Sequence, residues 1–178
     1  MAIKNWVKYL GTLVLLPFSF LAQAQYTKTA SCKDKQFDQK VNSYLSYNAP
    51  VISVDEAHLK KSDYIFLDAR EFNEYEVSHI SGSRFIGYDQ FNIEKIKDIS
   101  KDKKIIVYCS IGYRSEKIAT KLKKAGYKQV YNLYGSLFEW MNAGYETTDN
   151  KGKPTLKVHT YNKKWSQWIK NPSCQKVW

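Results

Sequence analysis

The sequence predicts an α/β fold: a mostly parallel central sheet with helices on both faces. Two observations carry this. Short β-branched or aromatic runs alternate with segments of helical period, and the connections between them are short. A third is positional. Asp68-Ala69-Arg70, the loop after Tyr108 and Leu133-Tyr134-Gly135 each follow a strand run, at the edge where such sheets bind ligands.

Residues 1–24 read as a signal peptide. Lys4 and Lys8 make a basic start, Leu10 to Leu21 an apolar stretch, and Ala22-Gln23-Ala24 a small-x-small cleavage pattern. The apolar stretch is shorter than the ~20 residues a membrane span needs, and Pro17 interrupts it. A periplasmic or secreted protein beginning near Gln25 is expected, with no membrane span after cleavage. Without Lys4 and Lys8 the formal charge falls from +11 to +9. The lysines are scattered, which describes a solvated basic surface and gives no support to a nucleic-acid partner.

Residues 25–51 are a lead-in, in which Phe37, Val41, Tyr44 and Leu45 recur at helical spacing before Asn48-Ala49-Pro50. Ser53-Val54-Asp55-Glu56 predicts a capped helix start, and Tyr64-Ile65-Phe66-Leu67 a strand. Glu71 to Val77 is a polar helical patch, His79 to Ser83 a turn, and Arg84-Phe85-Ile86 a short strand. Phe91, Ile93 and Ile96 mark a further helix, and Lys104 to Tyr108 a buried strand. Ser115 to Ala125 has Ile118, Ala119 and Leu122 on one face, with Gly126 as a stop. Gln129 to Leu133 is another strand, followed by a helix from Gly135 to Gly144. In the extension 150–178, Thr155 to Val158 predicts an edge strand. Trp165, Trp168 and Ile169 share one face of a short helix, a basic aromatic segment read as packing on the domain, with a surface for a membrane, glycan or partner protein as the alternative.

Cys32, Cys109 and Cys174 leave one thiol over in an exported chain. Domain ends often lie close together, so a Cys32–Cys174 disulfide is expected, with Cys109 free. Cys109 stands where a strand ends and a helix begins. Free N–H groups and the helix dipole there stabilise an anion, and such sites lower a cysteine pKa from about 8.5 to roughly 3.5–7.5. Arg114 adds a permanent positive charge. No metal site is expected from three separated histidines and dispersed cysteines, and no cofactor.

Three segments together resemble the rhodanese-like family over residues 52–149. Leu67-Asp68-Ala69-Arg70-Glu71-Phe72 with His79-Ile80-Ser81-Gly82-Ser83 is similar to the family's D-x-R-x-x-x-E-F…G-H-I-x-G-A signature, with Glu71 closer to Arg70 than usual. Cys109-Ser110-Ile111-Gly112-Tyr113-Arg114-Ser115 matches its C-x-x-G-x-R-S loop. Leu133-Tyr134-Gly135-Ser136 with Trp140 resembles L-x-G-G-x-x-x-W, with serine for the second glycine.

The resemblance implies a sulfurtransferase of the thiosulfate type. Cys109 would become a persulfide, the N–H groups of Ser110, Ile111, Gly112, Tyr113, Arg114 and Ser115 would cradle it, and Arg114 would bind the anionic end of the donor. The implied partners are a small anionic sulfur donor and a thiol or cyanide acceptor, with a protein acceptor as a further choice. The alternative is a non-enzymatic sulfur-carrier or protein-binding module of the cell envelope. Phosphatases with related loops use C-x-x-x-x-x-R, whereas four residues separate Cys109 from Arg114 here. The shorter cradle argues for sulfur. Asp68 and Arg70 are expected to orient each other, His79 to serve a structural turn, and Trp140 to lie in the core.

Overall fold

The computed structural model describes residues 26–178, so the expected signal peptide lies outside the described residues. The chain runs through α1 (Lys35–Asn42), β1 (Val51–Ile52), α2 (Val54–Leu59), β2 (Ile65–Asp68), α3 (Phe72–Val77), β3 (His79–Ile80) and β4 (Arg84–Phe85). It continues through β5 (Lys104–Tyr108), α4 (Tyr113–Lys124), β6 (Gln129–Leu133), α5 (Ser136–Asn142), β7 (Thr147–Thr148), β8 (Lys157–His159) and β9 (Gln175–Val177). The central sheet has five strands in the order β1-β6-β5-β2-β4, all parallel. The α/β class expected from the alternation is what forms.

Period-two alternation sends successive side chains to opposite faces of the sheet. Phe66, Ile106, Tyr108 and Leu133 join a core with Phe37 and Val41 of α1, Val54 and Ala57 of α2, and Leu137, Phe138 and Trp140 of α5. Leu67, Ile105, Val107 and Val130 join the other, with Ile118, Ala119 and Leu122 of α4. The segments flanking 52–149 belong to the first core, since Phe37 and Val41 are fully buried and so is Val158. Register places Asp68 beside Tyr108 and Val107 beside Asn132, so three strand ends converge on one edge.

Local details differ from the sequence reading. His79-Ile80 is not only a turn but pairs antiparallel with Thr147-Thr148. Ile93–Ile96 forms a short 3-10 turn in place of the expected helix, with Ile96 buried in the second core. Trp165–Trp168 is likewise a 3-10 turn, and β8 begins two residues later than expected, pairing in parallel with β9.

The expected disulfide is corrected: Cys32, Cys109 and Cys174 are all free thiols. Cys32 Sγ is committed elsewhere, so close to the α5 turn that a Cβ on Gly135 would lie 2.7 Å from it. Cys174 sits in the turn before β9, its N–H bonded to Asn171. Packing holds the ends instead. The Phe37 ring lies 5.7 Å from Trp168 and 6.4 Å from Phe138, and Asn142 donates to the Trp168 carbonyl.

Candidate active site

Cys109 follows β5 directly and is 1% exposed. The loop from Ser110 to Gly112 then turns into α4. Gly112 makes the turn at φ +118°, a backbone region costly to any residue with a β-carbon. The carbonyls of Cys109 and Ser110 accept the N–H groups of Leu137 and Phe138 at the start of α5. With its carbonyls held there, the loop presents N–H groups to the sulfur: Gly112 N–H lies 3.2 Å from Cys109 Sγ.

Burial by itself would raise the Cys109 pKa. The Arg114 charge, the Ser115 hydroxyl and N–H, and the Gly112 N–H outweigh it, and the thiol ends below its ordinary value. A buried thiolate is thus stabilised at the head of a helix. The Ser115 hydroxyl has one proton and two neighbours, Asn132 Oδ1 at 2.7 Å and Cys109 Sγ at 3.5 Å. Asn132 also donates to the Gly112 carbonyl, so one buried amide braces the loop at both ends.

Arg114 lines the cavity over the sulfur and is held in an ion pair. Its Nη1 and Nη2 donate to Glu74 at 2.6 and 2.8 Å, and Nη2 also reaches Ser110 Oγ at 3.0 Å. Glu74 is buried and accepts from Ser110 as well. Burial would raise its pKa, but bonds to Arg114, the charges of Arg114 and Arg70, and the Glu71 N–H hold it below the usual carboxylate range. The guanidinium therefore acts on Cys109 as one half of a fixed ion pair.

Glu74 also corrects the motif assignment. The Glu-aromatic pair of the signature is Glu74-Tyr75, at the usual spacing from Arg70, and not Glu71-Phe72. The signature leaves three residues after its arginine, here Glu71-Phe72-Asn73, and its glutamate then falls on Glu74. Asp68 and Arg70 do orient each other, through bonds of 2.7 to 3.2 Å in full burial, and Arg70 also donates to the Ser78 carbonyl. His79 stacks on Tyr75 and bonds its carbonyl, a structural role, and Trp140 is core. Tyr108 is a strand residue whose hydroxyl receives the Ile80 N–H and shares a proton with Ser83.

Ser136 replaces the second glycine of the closing motif yet keeps a left-handed backbone, φ +51°. Its hydroxyl accepts the Cys109 N–H at 3.2 Å and donates to the Leu133 carbonyl at 2.9 Å. Above the sulfur lies a cavity of about 440 Å³ lined by Cys109, Ser110, Ile111, Tyr113 and Arg114 of the loop. Tyr44 from the lead-in and Tyr161 and Trp165 from the extension also line it. None of these three belongs to a motif, and only the folded chain brings them to the site. The described residues hold no cluster of side chains suited to a metal.

A parallel five-stranded sheet with a cysteine loop between β5 and α4 defines a class, and comparison with known proteins identifies it. The rhodanese-like domain description matches residues 53–143, and the chain belongs to that family. It is 31% identical over 146 residues to the rhodanese-like/PpiC domain-containing protein 12 of Arabidopsis thaliana, covering 76% of this chain and 48% of the relative. It is 36% identical over 89 residues to a tRNA uridine(34) hydroxylase of an Enterobacter strain, covering 47% of this chain and 26% of that enzyme. The chain thus spans half or less of the length of these relatives. Among solved structures, the rhodanese-like domain of an Anabaena protein superposes with a TM-score of 0.51 at 22% identity, over 56% of this chain and 79% of that one. A thiosulfate sulfurtransferase of Pseudomonas aeruginosa also superposes with a TM-score of 0.51 at 22% identity, over 59% of this chain and 21% of that one. These two share the fold.

Proposed function

We propose that this chain is an exported sulfurtransferase that carries sulfane sulfur on Cys109. The observation behind the proposal is the buried Cys109 sulfur, facing the Gly112 N–H and the Ser115 hydroxyl at the foot of an open cavity. The thiolate attacks the outer sulfur of a donor such as thiosulfate. A new S–S bond forms on Cys109, the donor's S–S bond breaks, and its electron pair leaves with sulfite. Cyanide or a thiolate then attacks the outer sulfur of the persulfide, taking it as thiocyanate or a new persulfide and returning the Cys109 thiolate. Such two-step covalent transfer gives ping-pong kinetics.

The test is thiocyanate formation from thiosulfate or another sulfane donor with cyanide, comparing the protein with Cys109→Ser. Turnover that disappears in the variant is expected. No Cys109-dependent turnover with any sulfane donor defeats the enzymatic reading. A stable mass gain of one sulfur atom on Cys109 would then favour a sulfur carrier that hands its persulfide to a protein. Export is supported by the sequence of residues 1–24 alone, and N-terminal sequencing of the mature protein tests it. A chain beginning near Gln25 in the cell-envelope fraction is the expected result, and an intact Met1 in the cytoplasm overturns it.

A further inference from the structure

The cavity over Cys109 has a largely aromatic wall. Six aromatic side chains line it: Tyr44, Tyr88, Tyr113, Phe138, Tyr161 and Trp165. Tyr44 meets Tyr113 and Trp165 edge-on, at 5.9 and 5.7 Å between ring centroids. At about 440 Å³ the space falls within the range of organic-ligand pockets and far exceeds what an inorganic donor fills.

The charge of the wall points the same way. Among the described residues Arg114 is the one cation in the lining, and its charge is answered by Glu74. Glu71 and Asp89 add two carboxylates to the lining. Two lysines are engaged with rings of the wall. Lys117 donates to the Tyr113 hydroxyl at 2.7 Å, and Lys40 lies 4.9 and 5.9 Å from the Tyr44 and Trp165 rings. A dianion such as thiosulfate meets no unpaired positive charge in this lining, whereas a donor of lower charge with an apolar body meets aromatic faces.

The extension contributes a residue held at a cost. Tyr161 adopts φ +64°, a strained conformation for a bulky side chain, and is 62% exposed, so burial does not reward the strain. Its N–H is tied to His159 Nδ1 at 3.1 Å, and its ring lies 5.9 Å from the Arg114 guanidinium carbon. The backbone thus fixes a tyrosine over the active-site loop.

We infer that the aromatic wall contributed by the lead-in and the extension selects organic sulfane donors, R–SO2–S⁻ or R–S–S⁻ with an apolar or aromatic R group, over thiosulfate. This inference rests on the sulfurtransferase reading. Cys109 attacks the terminal sulfur, the donor S–S bond breaks, and the sulfinate or thiolate of R leaves with the electron pair while R lies against Tyr161 and Trp165.

Benzenethiosulfonate and methanethiosulfonate share a reacting group and differ only in R. With cyanide as acceptor, kcat/KM for the aryl donor is expected to exceed that for the methyl donor at least tenfold. That ratio should fall several-fold in Tyr161→Ala and in Trp165→Ala. A ratio near one, or one unchanged in both variants, overturns the inference while leaving sulfur transfer intact. Protection of Cys109 from iodoacetamide needs no turnover. Benzenesulfonate should protect at tenfold lower concentration than methanesulfonate, and equal protection, or none from either, overturns the inference even where no donor turns over.

Discussion

Arg114 and Glu74 form a two-pronged ion pair, 2.6 and 2.8 Å, between the first turn of α4 and the middle of α3. It locks the cysteine loop to α3, the helix that follows the Asp68–Arg70 strand end. Glu74→Gln should destabilise the protein by about 3 kcal/mol at neutral pH, since it leaves a mostly buried guanidinium without its counter-charge. Urea denaturation measures this. The same variant frees the positive charge beside Cys109, so thiosulfate turnover should gain relative to the aryl donor.

The acid limb of stability follows from the same pair. Glu74 has a lower pKa folded than unfolded, so its contribution is fully present above about pH 4.5 and is lost as pH falls through the lower folded value. A urea series across that range should show stability falling with acid in the wild type and less steeply in Glu74→Gln.

Cys109 has a pKa below that of an ordinary thiol, so its alkylation should reach half its plateau rate below about pH 8.5, the free-cysteine value. Ser115→Ala removes the hydroxyl beside the sulfur and should move the midpoint up. An unchanged midpoint would assign the effect to Arg114 and the loop N–H groups.

Gly112→Ala places a β-carbon at φ +118°, within 3.4 Å of Leu45 and 3.5 Å of Asn132. Strain of about 1–3 kcal/mol is expected, together with loss of Cys109 turnover as the N–H facing Sγ shifts. Thermal unfolding and thiocyanate formation check the two halves separately.

Ser136 sets two effects against each other. Ser136→Gly relieves a left-handed backbone costing about 1 kcal/mol but removes the acceptor for the Cys109 N–H, a loss of similar size. Its stability should stay near that of the wild type. Ser136→Ala keeps the strain and loses the bond, and should cost about 1 kcal/mol more than the glycine variant.

Much of this site is legible as sequence because it is local. Cys109, Gly112, Arg114 and Ser115 lie on one strand–loop–helix unit, and the need of that unit for a left-handed glycine and a helix start is written in consecutive residues. The strands are legible for the same reason: Ile65 to Leu67 and Ile105 to Tyr108 must be apolar on both faces of a covered parallel sheet. Asn132 was not legible as a loop brace. An asparagine in a strand acquires that role only when register sets it beside Val107.

The sequence by itself determined the sheet class and the strand–loop–helix turn that carries Cys109, since hydrophobic period and backbone conformation depend on near neighbours. Tertiary structure decided the rest. It gave Arg114 a partner 40 residues away in Glu74, kept Cys32 and Cys174 apart as thiols, and brought Tyr44, Tyr161 and Trp165 over one sulfur. Charge pairing, thiol pairing and cavity walls depend on distances in space, and the packing of the whole chain sets those distances.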